Sequence, residues 1–141
     1  MDDLLAEFLA ETVENAETVR DRAGQTGRGG GGDAVAEAFR MAAAINATAR
    51  YLDIPRLKAV AEAVERLAGG LRDGRLQRFS GSEALLLAAV GRIEEIAGDM
   101  MSGIEVVDGA DGALVSRLRI AANGDQGEDN VNAIDNSLRV N

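Results

Sequence analysis

The sequence predicts an all-α fold: an up-down-up-down four-helix bundle with a short fifth helix and a flexible C-terminal tail. Three observations predict it. Aromatic residues make up only 3% of the 141-residue chain, and sheets draw heavily on aromatic and β-branched side chains. Alanine, leucine, valine, glutamate and arginine dominate instead, a mixture that favours helix. Apolar residues then recur at intervals of three and four through successive segments, the period of a helix face. Residues 1–122 read as one bundle and 123–141 as a tail or linker.

The first helix follows from Leu4, Leu5, Phe8, Leu9, Val13, Ala16 and Val19, one stripe running to about Ala23. Asp2 and Asp3 stand where a cap and the helix dipole both favour negative charge. The glycine-rich run from Gly24 to Gly32 ends it. That run lacks the lysine of a phosphate-binding loop and follows no strand, so it reads as a flexible linker.

Asp33 is the expected N-cap of the second helix, with Val35, Ala38, Phe39, Ala42, Ile45, Ala49 and Leu52 as its buried face. Ile54-Pro55 ends that helix, because the residue before proline is pushed out of the α region. Pro55 suits the first turn of a third helix, where its missing N–H costs nothing. Leu57, Val60, Ala61, Val64, Leu67, Ala68 and Leu71 form the inward face, and Asp73-Gly74 supplies the stop.

Ser80 and Glu83 have the spacing of a capping box at the start of the fourth helix. Its core side is Leu86, Ala89, Val90, Ile93, Ile96, Ala97 and Met100. The glycine and aspartate stretch around Gly103 to Gly112 breaks it. Leu114, Val115, Leu118 and Ala121 then predict a short fifth helix. Beyond Asn123 the chain is rich in Asn, Asp and Gly, which predicts a disordered or weakly helical tail. Loops too short to cross the bundle give the up-down connectivity.

Composition excludes several function classes. The formal charge is −9 and lysine occurs once, at Lys58. An acidic chain without a basic stripe is a poor nucleic-acid partner. Cysteine and histidine are both absent, which removes disulfides, thiol nucleophiles and the usual zinc ligands. No metal and no cofactor is expected. No apolar run approaches membrane-spanning length and the N-terminus carries acidic residues, so a cytoplasmic protein with no membrane partner is expected.

One stretch carries more meaning. Phe39, Arg40, Ala42, Ile45 and Ala49 match the frame F-R-x-A-H-x-I-K-G-x-A on one helix. In this the chain resembles histidine-phosphotransfer (HPt) domains, especially the N-terminal domain of CheA-type chemotaxis kinases. Leu4 to Thr12 looks like that family's first helix. Leu52 to Leu57 looks like its turn between second and third helices, and Glu65 to Gly74 like the end of its third. The resemblance covers about residues 1–122.

The departures fall on the functional positions. Ala43 stands where the family has its phospho-accepting histidine, Asn46 where it has lysine, and Ala47 where it has glycine. Arg50 falls where a second small residue is common. Positions 43, 46, 47 and 50 share one stripe of a helix, expected to be exposed and roughly opposite Phe39, Ala42, Ile45 and Ala49. Alanine has no nucleophilic nitrogen, and Asn46 cannot supply the positive charge that steadies a phosphoryl group. Glu62 and Glu65 match positions from which family members orient the histidine ring. Without an imidazole they become an acidic pair, open to Arg50, Lys58 or Arg66.

An engineered His-to-Ala change would leave Asn46 and Ala47 unexplained. No other residue offers a route to phosphorylation, since the chain is helical with one lysine. Adjacent carboxylates such as Glu94 and Glu95 diverge on a helix. No catalytic site is expected. The resemblance implies a phosphotransfer-inactive, monomeric interaction module in two-component or chemotaxis-type signalling. Its docking face would be Arg40, Ala43, Asn46, Ala47 and Arg50 with Glu62 and Glu65. Its partner would be a response-regulator receiver domain or a histidine-kinase domain. Two alternatives stay open: a working phosphorelay domain phosphorylated elsewhere, and a structural bundle that oligomerises through Met100, Met101 and Ile104.

Overall fold

The computed structural model describes residues 3–24, 31–49, 51–76, 80–107 and 111–123, without the side chains of 31–33 and 80. Among them the chain is all-α, with five helices and no strand: α1 Asp3–Ala23, α2 Gly31–Thr48, α3 Pro55–Arg72, α4 Ser80–Met101 and α5 Asp111–Ala122. The helix from α1 to α4 each touches the next, and α4 also returns to α1, which closes a ring around a shared core. The packing is that of a helical bundle. Helix α5 lies outside the ring, mainly against α3 and to a lesser extent α4. The expected tail, from 124 onward, lies outside the described residues.

The helix faces follow the predicted spacing most completely in α3, whereas at the start of α1 Leu4, expected on the apolar stripe, is exposed. Leu57, Val60, Ala61, Val64, Leu67, Ala68 and Leu71 are all buried. In α2 the core is Ala34, Val35, Ala38, Met41, Ala42 and Ile45. Met41 was not expected there, and Phe39 is only half-buried at the bundle edge. Met100 of α4 is half-buried too, packed on the core rather than presented to solvent.

Helix ends differ from the sequence reading at three places, the first being that α2 stops at Thr48, well before Ile54-Pro55, which leaves Ala49 and Leu52 half-buried beyond its end. Helix α2 starts at Gly31, so Asp33 lies inside its first turn and does not cap it. The first turn has N–H groups without intrahelical partners, so glycine is better tolerated there than in a helix interior. Helix α4 includes Ser80 as its first residue, and the expected Ser80 side-chain cap lies outside the described residues.

The signals at the two ends of α3 and at the end of α4 behave as expected. Pro55 opens α3 after Ile54 at φ −133° and ψ 59°. Gly74 at φ +75° follows the C-cap Asp73, and the Leu76 N–H then returns 3.0 Å to the Gly70 carbonyl. At the end of α4, Gly103 at φ +69° lets the Ile104 N–H reach the Asp99 carbonyl at 2.9 Å and the Gly103 N–H reach that of Met100 at 3.3 Å. This double closure satisfies carbonyls that the helix end would otherwise leave open.

Two adjacent glycines in α3 set how closely its neighbours approach. A Cβ on Gly69 would come within 3.1 Å of the Phe39 ring, and one on Gly70 within 2.7 Å of Leu76 Cγ. Glycine inside a helix costs about 1 kcal/mol relative to alanine. Here it allows α2 and the α3–α4 connection to close onto α3. The Arg72 guanidinium covers the Phe39 ring at 3.9 Å from its centroid, which explains why a phenylalanine persists at a half-exposed edge.

An arginine holds the far side together. Arg92 of α4 is 9% exposed. Its Nε donates to Asp111 Oδ1 at 2.6 Å, and its Nη2 donates to Asp111 Oδ2 at 3.1 Å and to the Val107 carbonyl at 2.5 Å. Its Nη1 donates to Glu95 Oε1 at 2.6 Å. Arg56 of α3 approaches Asp111 at 3.7 Å and donates to the Val106 carbonyl at 3.0 Å. Asp111, in the first turn of α5, thus ties that helix to α4 and α3. The hydrogen bond with Asp111 raises the Arg92 pKa above its ordinary value, against the opposing effect of burial.

Candidate functional site

The residues singled out in the sequence lie on α2 and α3, the two helices in most extensive contact. Arg40 is exposed and ion-paired with Glu37 one turn earlier. Ala43, expected to be exposed, is half-buried, and Ala47 is exposed as expected. Arg50 lies outside the described residues.

Asn46 differs from the expectation of an exposed position. It is half-buried, and its Nδ2 donates to Glu65 Oε1 of α3 at 2.5 Å. Its Oδ1 is buried without a hydrogen-bond partner. Turning the amide over would set an acceptor against the Glu65 carboxylate, so the bond to Glu65 fixes the orientation. The helix wheel placed position 46 correctly on its stripe. It gave no sign that α3 comes close enough to cover it.

The two carboxylates of α3 have separate environments. Glu65 is half-buried and engaged with Asn46. Glu62 is exposed and pairs with Lys58 at 3.7 Å, one of the i,i+4 partners that its position allowed. They do not form one pocket of shared charge. The face carries no nucleophile beside a base and, among the described residues, no cluster of acidic side chains able to hold a metal ion. What it offers is a shallow surface: small side chains at 43 and 47, a cation at 40, and a closed Asn46–Glu65 contact.

No protein-family model, curated protein or solved structure matches this chain.

The site therefore stands on its own geometry. South of Asn46 along α3, the surface opens into a groove of roughly 560 Å³. Phe39 and Asn46 of α2 form one wall, α3 from Glu62 to Asp73 the floor, and Arg119 of α5 the other side, with Arg75 at the end. Sequence reasoning missed this groove. The available signal was four arginines, at 66, 72, 75 and 119, in an otherwise acidic chain, but only the docking of α5 on α3 brings Arg119 to the others. No helix among the described residues is long and apolar enough to cross a membrane.

Proposed function

We propose that this chain is a phosphotransfer-inactive relative of the HPt domains that acts by binding rather than by chemistry. The observation that carries the reading is the pairing of Asn46 with Glu65 beside Ala43. In the family it resembles, the residue at 65 would serve a histidine ring from the third helix. Here Ala43 offers no ring, and the Glu65 carboxylate is taken by Asn46 instead. The ring of contacts from α1 to α4 supports the up-down-up-down arrangement of such domains, with α5 as an addition. Two-component partners are cytoplasmic, so the reading also places the chain in the cytoplasm, as a monomer.

The docking face is Arg40, Ala43, Asn46, Ala47 and Arg50, with Glu62 and Glu65 beside it. Its partner is a receiver or histidine-kinase domain, which it would block or hold in place. Small side chains at 43 and 47 suit close approach of a partner, while Arg40 supplies charge at the rim. Isothermal titration against receiver domains from the same cell tests the reading. Binding that Ala47→Arg weakens at least tenfold supports it. Absence of binding to every receiver and kinase domain tried rules it out.

A structural role has one observation in its favour. Met101, Ile104 and Val107 are 42%, 58% and 72% exposed around the end of α4. Light scattering that shows a stable dimer, lost in Ile104→Glu, would support oligomerisation in place of receiver docking. The remaining alternative, a working phosphorelay domain, requires label transfer from a kinase to a chain without histidine.

A further inference from the structure

The groove along α3 brings four arginines and three carboxylates together, a slightly positive lining in a chain whose formal charge is −9. Arg66, Arg72, Arg75 and Arg119 all line it, from α3, the connection after it and α5. Three carboxylates line it as well: Glu62 pairs with Lys58 and Asp73 with Arg72, while Glu65 keeps its full negative charge against the neutral Asn46 amide. Arg66, Arg75 and Arg119 make no ion pair or hydrogen bond among the described residues. Glu62 stands one helical turn from Arg66, yet its partner is Lys58. The Arg75 guanidinium folds back over α3, where a Cβ on Gly70 would lie 3.1 Å from its Nη2. Three guanidiniums without an ion-pair partner among the described residues thus share one groove with the Glu65 carboxylate, a mixed lining that suits a ligand with both an anion and hydrogen-bond donors.

The dimensions fit a small molecule. The volume falls within the range of about 300–1,000 Å³ typical of ligand sites. Residues 65 and 72 are separated by about 10 Å along the helix, at about 1.5 Å per residue. Apolar lining is limited to Phe39, Ala63 and the glycine at 69, too little to anchor the side chains of a docked peptide. Guanidinium groups match phosphate oxygens in bidentate geometry. The Glu62 and Glu65 end accepts hydrogen bonds and repels a second anion.

We infer that this groove binds a small hydroxylated phosphate ester, with its phosphate among Arg66, Arg75 and Arg119 and its hydroxyls toward Glu62 and Glu65. The groove shares Asn46, Glu62 and Glu65 with the docking face, but ligand binding there does not depend on the receiver-docking reading. The test is calorimetric titration of the full chain with glucose 6-phosphate, inorganic phosphate and glucose as probes. Glucose 6-phosphate should bind at least tenfold more tightly than inorganic phosphate, and glucose should not bind. The variant R66Q/R119Q should lose at least tenfold in affinity, while Arg117→Gln, an exposed arginine of α5 outside the groove, should bind as the parent does. Replacing both acceptors in E62A/E65A should reduce glucose 6-phosphate to the affinity of inorganic phosphate, with folding checked by circular dichroism. Equal affinity for the two phosphates, or undiminished binding by R66Q/R119Q, would overturn the assignment. So would tighter binding of a heptaglutamate peptide, which would assign the groove to an acidic protein segment.

Discussion

Replacing Asp111 with alanine should destabilise this protein strongly, because it strands the buried Arg92 cation. The Arg92 side chain is 9% exposed and the Asp111 side chain 13%. Removing one partner of a buried ion pair typically costs about 3–5 kcal/mol, because the remaining charge is left without compensation. Two contacts moderate this. Arg92 keeps the Val107 carbonyl at 2.5 Å and Glu95 at 2.6 Å. Glu95 is 64% exposed, however, and screened accordingly. Asp111 also lies in the first turn of α5, where a negative charge is worth roughly 0.3–1 kcal/mol. The sum is a loss of about 3 kcal/mol, or on the order of 10 °C in Tm for a chain of this size.

Urea unfolding followed by circular dichroism at 25 °C measures the loss directly. The pair Arg92→Met and D111A completes a double-mutant cycle. With the stranded cation gone, R92M/D111A should be more stable than D111A alone by roughly 1–2 kcal/mol, since a buried pair can give way to an apolar side chain at little cost. A D111A loss below about 1 kcal/mol, or additive single effects, would refute the role assigned to this pair.

The other predictions concern packing and charge. Gly70→Ala should destabilise by about 1–3 kcal/mol through overpacking against Leu76, whereas Gly98→Ala, with nothing within 4 Å of its would-be Cβ, should stabilise by about 0.5–1 kcal/mol; chemical denaturation of the two variants separates them. Asn46→Ala removes a bond to a charged acceptor and an unsatisfied buried oxygen together, two effects of about 1–3 kcal/mol each and opposite sign, so its unfolding free energy in urea should change by less than about 1 kcal/mol. Arg20 of α1 makes a two-point ion pair with Glu94 of α4, which raises the Arg20 pKa. The pair is exposed at the arginine, so Glu94→Gln should leave the unfolding midpoint close to that of the parent in the same assay. A raised arginine pKa gives stability that is present below the unfolded value and lost only as pH rises through the higher folded one. Arg20 and Arg92 keep their charge throughout the neutral range and the chain has no histidine. Tm should therefore change little between about pH 6 and 8.

The helices were legible because their signals are local. The α3 stripe from Leu57 to Leu71 needs only periodicity, and Pro55 and Gly74 mark its ends through their own backbone chemistry. Met41 escaped because α2 is so rich in alanine that more than one face could serve as the core. The Asp111–Arg92 tie was illegible for a different reason. It joins residues 19 positions apart across a break that reads simply as glycine and aspartate. One hint was present: Arg92 shares the face of Ala89 and Ile96, so an arginine intrudes on a core stripe and needs a partner. At the candidate site, the positions of 43, 46 and 47 on one stripe were legible. The contact between Asn46 and Glu65 was not, because a single helix does not reveal how near its neighbour comes.

The central claim is that the α2–α3 face docks a signalling partner without phosphotransfer. Titration of the isotope-labelled chain with receiver domains, followed by two-dimensional NMR, tests it most directly. The account predicts saturable shifts clustered at residues 40–47 and 62–65, with no phosphate gained by the chain when kinase and ATP are added. Receivers that leave those residues unshifted, or a phosphorylated product, would contradict it.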